Sequence, residues 1–131
     1  KFVSRNRNMY KIKDRVESEA LAKAIVAGMQ ENKAEDIVLL DLREIDSAVT
    51  DFFVICSGNS TTHVEGIVSK LHRETFENIG EKPMHQEGAG SSEWIVLDYF
   101  NVVAHVFYKE VRAHYDLEDL WADGKKIEIK D

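Results

Sequence analysis

The sequence predicts an α/β chain, more fully an α+β arrangement, with a mixed β-sheet flanked by helices in the order α-β-β-α-β-β-β-α. Three observations predict it. Short runs that are apolar on both faces, Ile37-Val38-Leu39-Leu40 and Phe52-Phe53-Val54-Ile55-Cys56, read as buried strands. Stripes of apolar residues at helical spacing lie before and between such runs. Two further apolar runs, 94–97 and 102–108, are separated only by residues 98–101 and read as an antiparallel hairpin, so the sheet is mixed and helices pack on it.

The elements follow in order. Residues 1–15 have no clear period and read as a basic N-terminal tail. From Val16 the pattern turns helical, with Ala20, Leu21, Ala24, Ile25, Gly28 and Met29 on one stripe that runs out near Asn32. After the first two strands, Ser57-Gly58-Asn59 is a turn signal. A helix then starts at Ser60 or Thr61, where a hydroxyl caps free N–H groups. Val64, Ile67, Val68, Leu71 and Thr75 make its inner face, and Gly80 closes it. Pro83 opens an extended piece, Met84-His85-Gln86, and a polar Gly/Ser loop covers 87–92. The hairpin leads into a short helix over 109–115 and the segment 117–121. One domain therefore spans 16–122, and residues 123–131 read as a polar C-terminal tail.

Composition narrows the class. The 131 residues are 44% hydrophobic and 31% charged, which suits one domain with its own core. The single cysteine, Cys56, excludes an intramolecular disulfide framework and Cys₂ or Cys₄ metal sites. No apolar run approaches the ~20 residues of a membrane span. Residues 1–15 lack the apolar segment of a secretory signal, so a cytoplasmic protein is expected.

The net charge of −7 is unevenly placed. Residues 1–15 carry six basic side chains against Asp14, and the remaining 116 carry 11 Lys and Arg against 23 Asp and Glu, a net of −12. Such a body is a poor phosphate binder and suits a basic protein partner. No direct, specific nucleic-acid contact is expected of it. The basic tail either grazes an anionic surface or is a plain chain terminus.

Several constellations carry competing readings. His63 and His72 are nine residues apart on one helix, a turn of about 900° that leaves them on opposite faces. No HExxH occurs, and no metal or other cofactor is expected. Asp41, Asp51 and Asp98 lie near strand ends, where Mg²⁺-dependent nucleotidyl or phosphoryl transfer would need them. No Asp-x-Asp pair occurs among them, so solvated strand ends are the reading preferred and no catalytic residue is assigned. The loop from Ser57 to His63 lacks the second Gly and the Lys-Ser/Thr ending of a phosphate loop, and self-capping accounts for it. Cys56 lies in an apolar strand and reads as core. Seven of the twelve aromatics, including Trp94, Tyr115 and Trp121, fall within 28 residues together with Arg112 and His114. Trp, Tyr and Arg anchor protein interfaces, so this cluster reads as a partner surface.

At these segments the chain resembles the ribosomal silencing factor S family, also called Iojap. The matching pieces are Thr50-Asp51-Phe52-Phe53-Val54-Ile55-Cys56-Ser57-Gly58-Asn59-Ser60, His63-Val64, Glu87-Gly88, Trp94-Ile95-Val96-Leu97-Asp98 and His105-Val106-Phe107. The last is Arg112-x-x-Tyr115-x-Leu117-Glu118-x-Leu120-Trp121, and order and spacing hold from about Ser18 to Trp121.

The resemblance implies a nucleotidyltransferase-like fold with a mixed sheet of about five strands, yet no transferase activity. It implies binding to the large ribosomal subunit through the ribosomal protein numbered fourteen. Such binding blocks subunit association and represses translation when nutrients fail. Organellar relatives act in large-subunit assembly and biogenesis, and members often form homodimers when free. Carried onto matching positions, the partner-binding residues are Trp94, Asp98, His105, Arg112, Tyr115, Leu117 and Glu118. In this reading Trp94 and Tyr115 supply contact area, Leu117 fills an apolar hollow, and Asp98 and Glu118 meet basic side chains. Arg112 either joins that surface or orients Glu118 or Asp98 within the chain. The family commonly has a small residue such as Gly in the hairpin turn, where this chain has Phe100-Asn101. Phe resists φ > 0, so a different turn type is expected there.

Overall fold

The computed structural model describes residues 12–130. The order is α1 (Ile12–Glu31), β1 (Glu35–Asp41), β2 (Phe52–Gly58), α2 (Thr61–Ile79), β3 (His85–Glu87), β4 (Trp94–Asp98), β5 (Val102–Tyr108), α3 (Lys109–Tyr115), α4 (Leu117–Leu120) and β6 (Lys125–Glu128). One six-stranded sheet runs β3-β4-β5-β2-β1-β6. The β2–β5 pair is parallel, and every other pair is antiparallel, so the sheet is mixed as the sequence predicts. The apolar strands β2 and β5 lie at its centre, where both faces are covered.

The helices α1 and α2 pack on one face. Leu21, Ile25 and Met29 of α1 and Val64, Ile67 and Leu71 of α2 meet Val54, Cys56, Ile95, Ala104 and Val106. Ser60 caps α2, its hydroxyl accepting from the His63 N–H at 3.0 Å. Gly80 ends α2 in the left-handed region at φ 69, where its N–H donates to the Phe76 carbonyl. A smaller cluster of Val38, Leu40, Leu42, Ala48, Ile55, Phe107 and Leu117 fills the opposite face.

The structure corrects four expectations. First, the sheet has six strands rather than about five, and the polar stretch read as a C-terminal tail from 123 holds the sixth. β6 is an edge strand that joins β1 through main-chain bonds, with Leu39 opposite Ile127, and Ile129 just beyond it packs against the core. Second, α1 begins at Ile12, so the tail read over 1–15 does not reach residue 15, and its remainder lies outside the described residues. Lys, Arg and Glu are good helix formers, and a basic run does not stop a helix. Third, the buried stripe of α1 is Ser18, Leu21, Ala22, Ile25, Gly28 and Met29, while Ala20 faces solvent. Ser18 is drawn inside because its hydroxyl donates to the buried Asp51 carboxylate at 2.8 Å. Fourth, Phe100 does adopt a positive φ, 79°. The Phe100 N–H donates to the Asp98 carboxylate at 2.8 Å, which offsets part of the strain.

Candidate functional site

On the face opposite α1 and α2, alternation along the strands places aromatic side chains side by side. The register sets Trp94 opposite Phe107, Val96 opposite His105 and Ile55 opposite His105. Trp94 stacks on Phe107, with centroids 5.0 Å apart, and Phe53 meets the His105 ring edge-on at 4.7 Å. Chain direction brings in the rest. β5 runs straight into α3, which folds back so that Tyr115 lies 4.5 Å from the Trp94 ring. Asp116, in the left-handed region at φ 43, turns the chain between α3 and α4.

That corner is locked from beneath. The Arg112 guanidinium donates to both carboxylate oxygens of Glu118, at 3.1 and 3.2 Å. Its remaining nitrogen, Nη1, donates to the Asp36 carbonyl at 2.7 Å and to the Ser57 hydroxyl at 2.9 Å. One side chain therefore ties α3 to α4, β1 and β2. Leu117 is buried below α4, and Trp121, one turn on, packs against Phe53. What remains outside is apolar and acidic: Tyr115 is 51% exposed and Leu120 73%, flanked by exposed Asp116 and Asp119. A hollow of about 340 Å³ beside α4 is walled by Asp116, Glu118, Asp119 and Trp121, with Lys126 at its side 3.7 Å from Glu118.

The seven residues named from the sequence gather at this face and its hairpin, but in different positions. Trp94 is half-buried and Tyr115 exposed. Glu118 is half-buried and held by Arg112, which is spent within the fold instead of reaching outward. Asp98 is buried and accepts from the Phe100 N–H, so it caps the hairpin. Leu117 belongs to the second core and fills a hollow of its own chain. His105 is only 5% exposed. Its Nδ1 accepts from the Trp94 indole N–H at 3.1 Å. An indole nitrogen only donates, so the neutral ring carries its proton on Nε2, which has no hydrogen-bond partner among the described residues. Burying such an N–H costs about 1–3 kcal/mol. Burial pushes the His105 pKa down to about 3, against the pull of Asp98, and the ring is neutral at physiological pH.

Sequence reasoning left out Leu120, Asp116 and Asp119. A signal for them exists. Leu117 and Trp121 are four apart and share the inner side of a one-turn helix, which leaves Asp119 and Leu120 outside.

The three strand-end carboxylates of the rival transferase reading each have a protein partner. Asp41 is gripped by the Arg43 guanidinium and main-chain N–H, at 2.8 to 3.0 Å. Burial raises the Asp41 pKa, and the Arg43 bonds and charge outweigh it, so the net shift is downward. Asp51 accepts from Ser18, and Asp98 accepts from Phe100. Among the described residues no group of three or more His, Cys, Asp or Glu side chains is arranged to hold a metal ion. Cys56 is fully buried, and burial pushes its thiol up to about 12, against the pull of Arg112, as fits a core residue. Among the described residues no helix is long and apolar enough to cross a membrane.

Comparison with known proteins adds a family. A family model described as "Ribosomal silencing factor during starvation" matches residues 15–131. A ribosomal silencing factor of Bacillus subtilis is 37% identical over 110 residues, covering 84% of this chain and 92% of that protein. A Mus musculus protein named for mitochondrial assembly of the ribosomal large subunit is 29% identical over 99 residues, 74% of this chain and 43% of its own length. A crystal structure from Bacillus halodurans, 35% identical, superposes with a TM-score of 0.73 and covers 85% of this chain and 99% of that one.

Proposed function

The chain belongs to the ribosomal silencing factor family, and from that premise we propose that it binds the large ribosomal subunit and blocks its association with the small one. The contact is with the ribosomal protein numbered fourteen, through the corner built by Trp94, Tyr115, Leu120 and the carboxylates around them. The protein acts by occupying space and not by catalysis, in the cytoplasm, and forms a homodimer when free. The observation that carries the reading is the exposed Tyr115–Leu120 patch set between Asp116 and Asp119. An apolar centre with an acidic border is complementary to a basic ribosomal protein, where aromatic anchors supply affinity and charges steer encounter. The name of the mouse relative points the same way, towards the large subunit.

Co-sedimentation with isolated subunits tests it. The expected result is binding to the large subunit alone, with fewer joined ribosomes when small subunits are added. Binding to neither subunit at moderate salt would overturn the proposal.

A further inference from the structure

We propose that His105 is a positioning residue for Trp94: through the Trp94 N–H···His105 Nδ1 bond it holds the half-buried indole in the orientation presented to the partner. The proposal rests on the binding surface inferred above and adds a role for a residue that touches no partner itself. Packing alone makes histidine a poor choice at this position. The ring lies between Phe53 and Trp94, beside Phe107, with Ile55 opposite it on β2. A phenylalanine fills the same space without burying a ring N–H that, like Nε2 here, has no partner among the described residues. The one polar return for that cost is an acceptor aimed at the indole. Because the ring is neutral at physiological pH, the acceptor lone pair is always available.

The bond has a geometric consequence. With its N–H satisfied inward, Trp94 stacks on Phe107 on one side and meets Tyr115 on the other. Both anchors of the surface are thus in contact before a partner arrives, which lowers the cost of ordering them at binding. Without the acceptor nothing fixes the indole N–H inward, and the ring is free to take up other orientations at the surface.

Two variants separate the acceptor from the packing. His105→Phe keeps the ring and loses the acceptor, while His105→Asn keeps an acceptor near the Nδ1 position and loses the ring. Three readouts apply: the indole ¹⁵N–¹H resonance of Trp94 in the free protein (assigned with Trp121→Phe), the Tm, and co-sedimentation affinity for the large subunit. His105→Phe is expected to move or broaden that resonance, to keep or raise the Tm, and to weaken binding about fivefold or more. His105→Asn is expected to keep a hydrogen-bonded resonance and bind within about twofold of wild type at a lower Tm. An unchanged resonance in His105→Phe, or affinities that simply follow Tm, would overturn the positioning role. Wild-type protein that sediments with neither subunit would overturn the binding reading instead, and the two failures are distinguishable because the resonance is read without the ribosome.

Discussion

Arg112 and Glu118 close a two-pronged ion pair across the bend between α3 and α4, at 3.1 and 3.2 Å, beneath the exposed Tyr115. The Arg112 side chain is 13% exposed and that of Glu118 21%, so water screens the pair little. With its further bonds to Asp36 and Ser57, the guanidinium holds the corner onto the sheet.

Arg112→Ala should therefore cost about 3 kcal/mol of stability in urea unfolding. Arg112→Lys should recover less than half of that, because an ammonium cannot make the two-pronged contact. A loss under about 1 kcal/mol for Arg112→Ala would show that the pair does not hold the corner.

Tyr115→Ala should leave the Tm nearly unchanged, since the ring is half exposed, and weaken large-subunit binding by about 2 kcal/mol. Affinity should fall as salt rises and the Debye length shrinks from about 10 Å at 0.1 M. Asp119→Asn should flatten that salt dependence. Salt-independent binding would argue against an acidic surface meeting a basic partner.

Gly88 has φ 98, and a Cβ on it would lie 1.9 Å from the Trp94 carbonyl oxygen. The obstacle is backbone, so no rotamer change relieves it. Gly88→Ala should cost about 2–3 kcal/mol, measured by thermal unfolding. Gly90→Ala, with nothing within 4 Å, is the control expected to be near neutral.

The positive φ of Phe100 gives a paired comparison. Phe100→Ala and Phe100→Gly lose the same ring, but only alanine keeps the left-handed strain. The glycine variant should be about 1 kcal/mol the more stable. Equal stabilities would mean that the turn relaxes freely.

His105 predicts an acid-side loss of stability. The unfolded histidine takes up a proton below its ordinary 6.5, while the buried one stays neutral down to about 3. The unfolded state then binds more protons, so stability falls with pH over that window, by up to about 1.4 kcal/mol per unit. Relative to wild type, His105→Phe should gain about 2 kcal/mol between pH 7 and pH 5, read by urea unfolding at both values. An unchanged gap would place His105 in contact with water.

Local signals made most elements legible. The capping hydroxyl of Ser60, the closing Gly80 and the doubly apolar strands β2 and β5 act within a few residues, and the structure has them where the sequence puts them. β6 was overlooked although Lys126-Ile127-Glu128-Ile129-Lys130 alternates polar and apolar residues as a strand does; the run is short and mostly charged, and so it read as a solvated tail. The resemblance to ribosomal silencing factors was likewise carried by residue order alone.

Which way each site residue faces was not legible in this sense. Sequence by itself determined that Trp94, His105, Arg112, Tyr115, Leu117 and Glu118 belong to one region of one fold. Only the tertiary structure decided that Tyr115 and Leu120 face solvent while His105 and Leu117 do not. The physical reason is that exposure here depends on partners far apart in the chain. His105 is covered by Phe53 and Trp94 from neighbouring strands, and Arg112 is consumed by Asp36, Ser57 and Glu118 once α3 folds back onto the sheet.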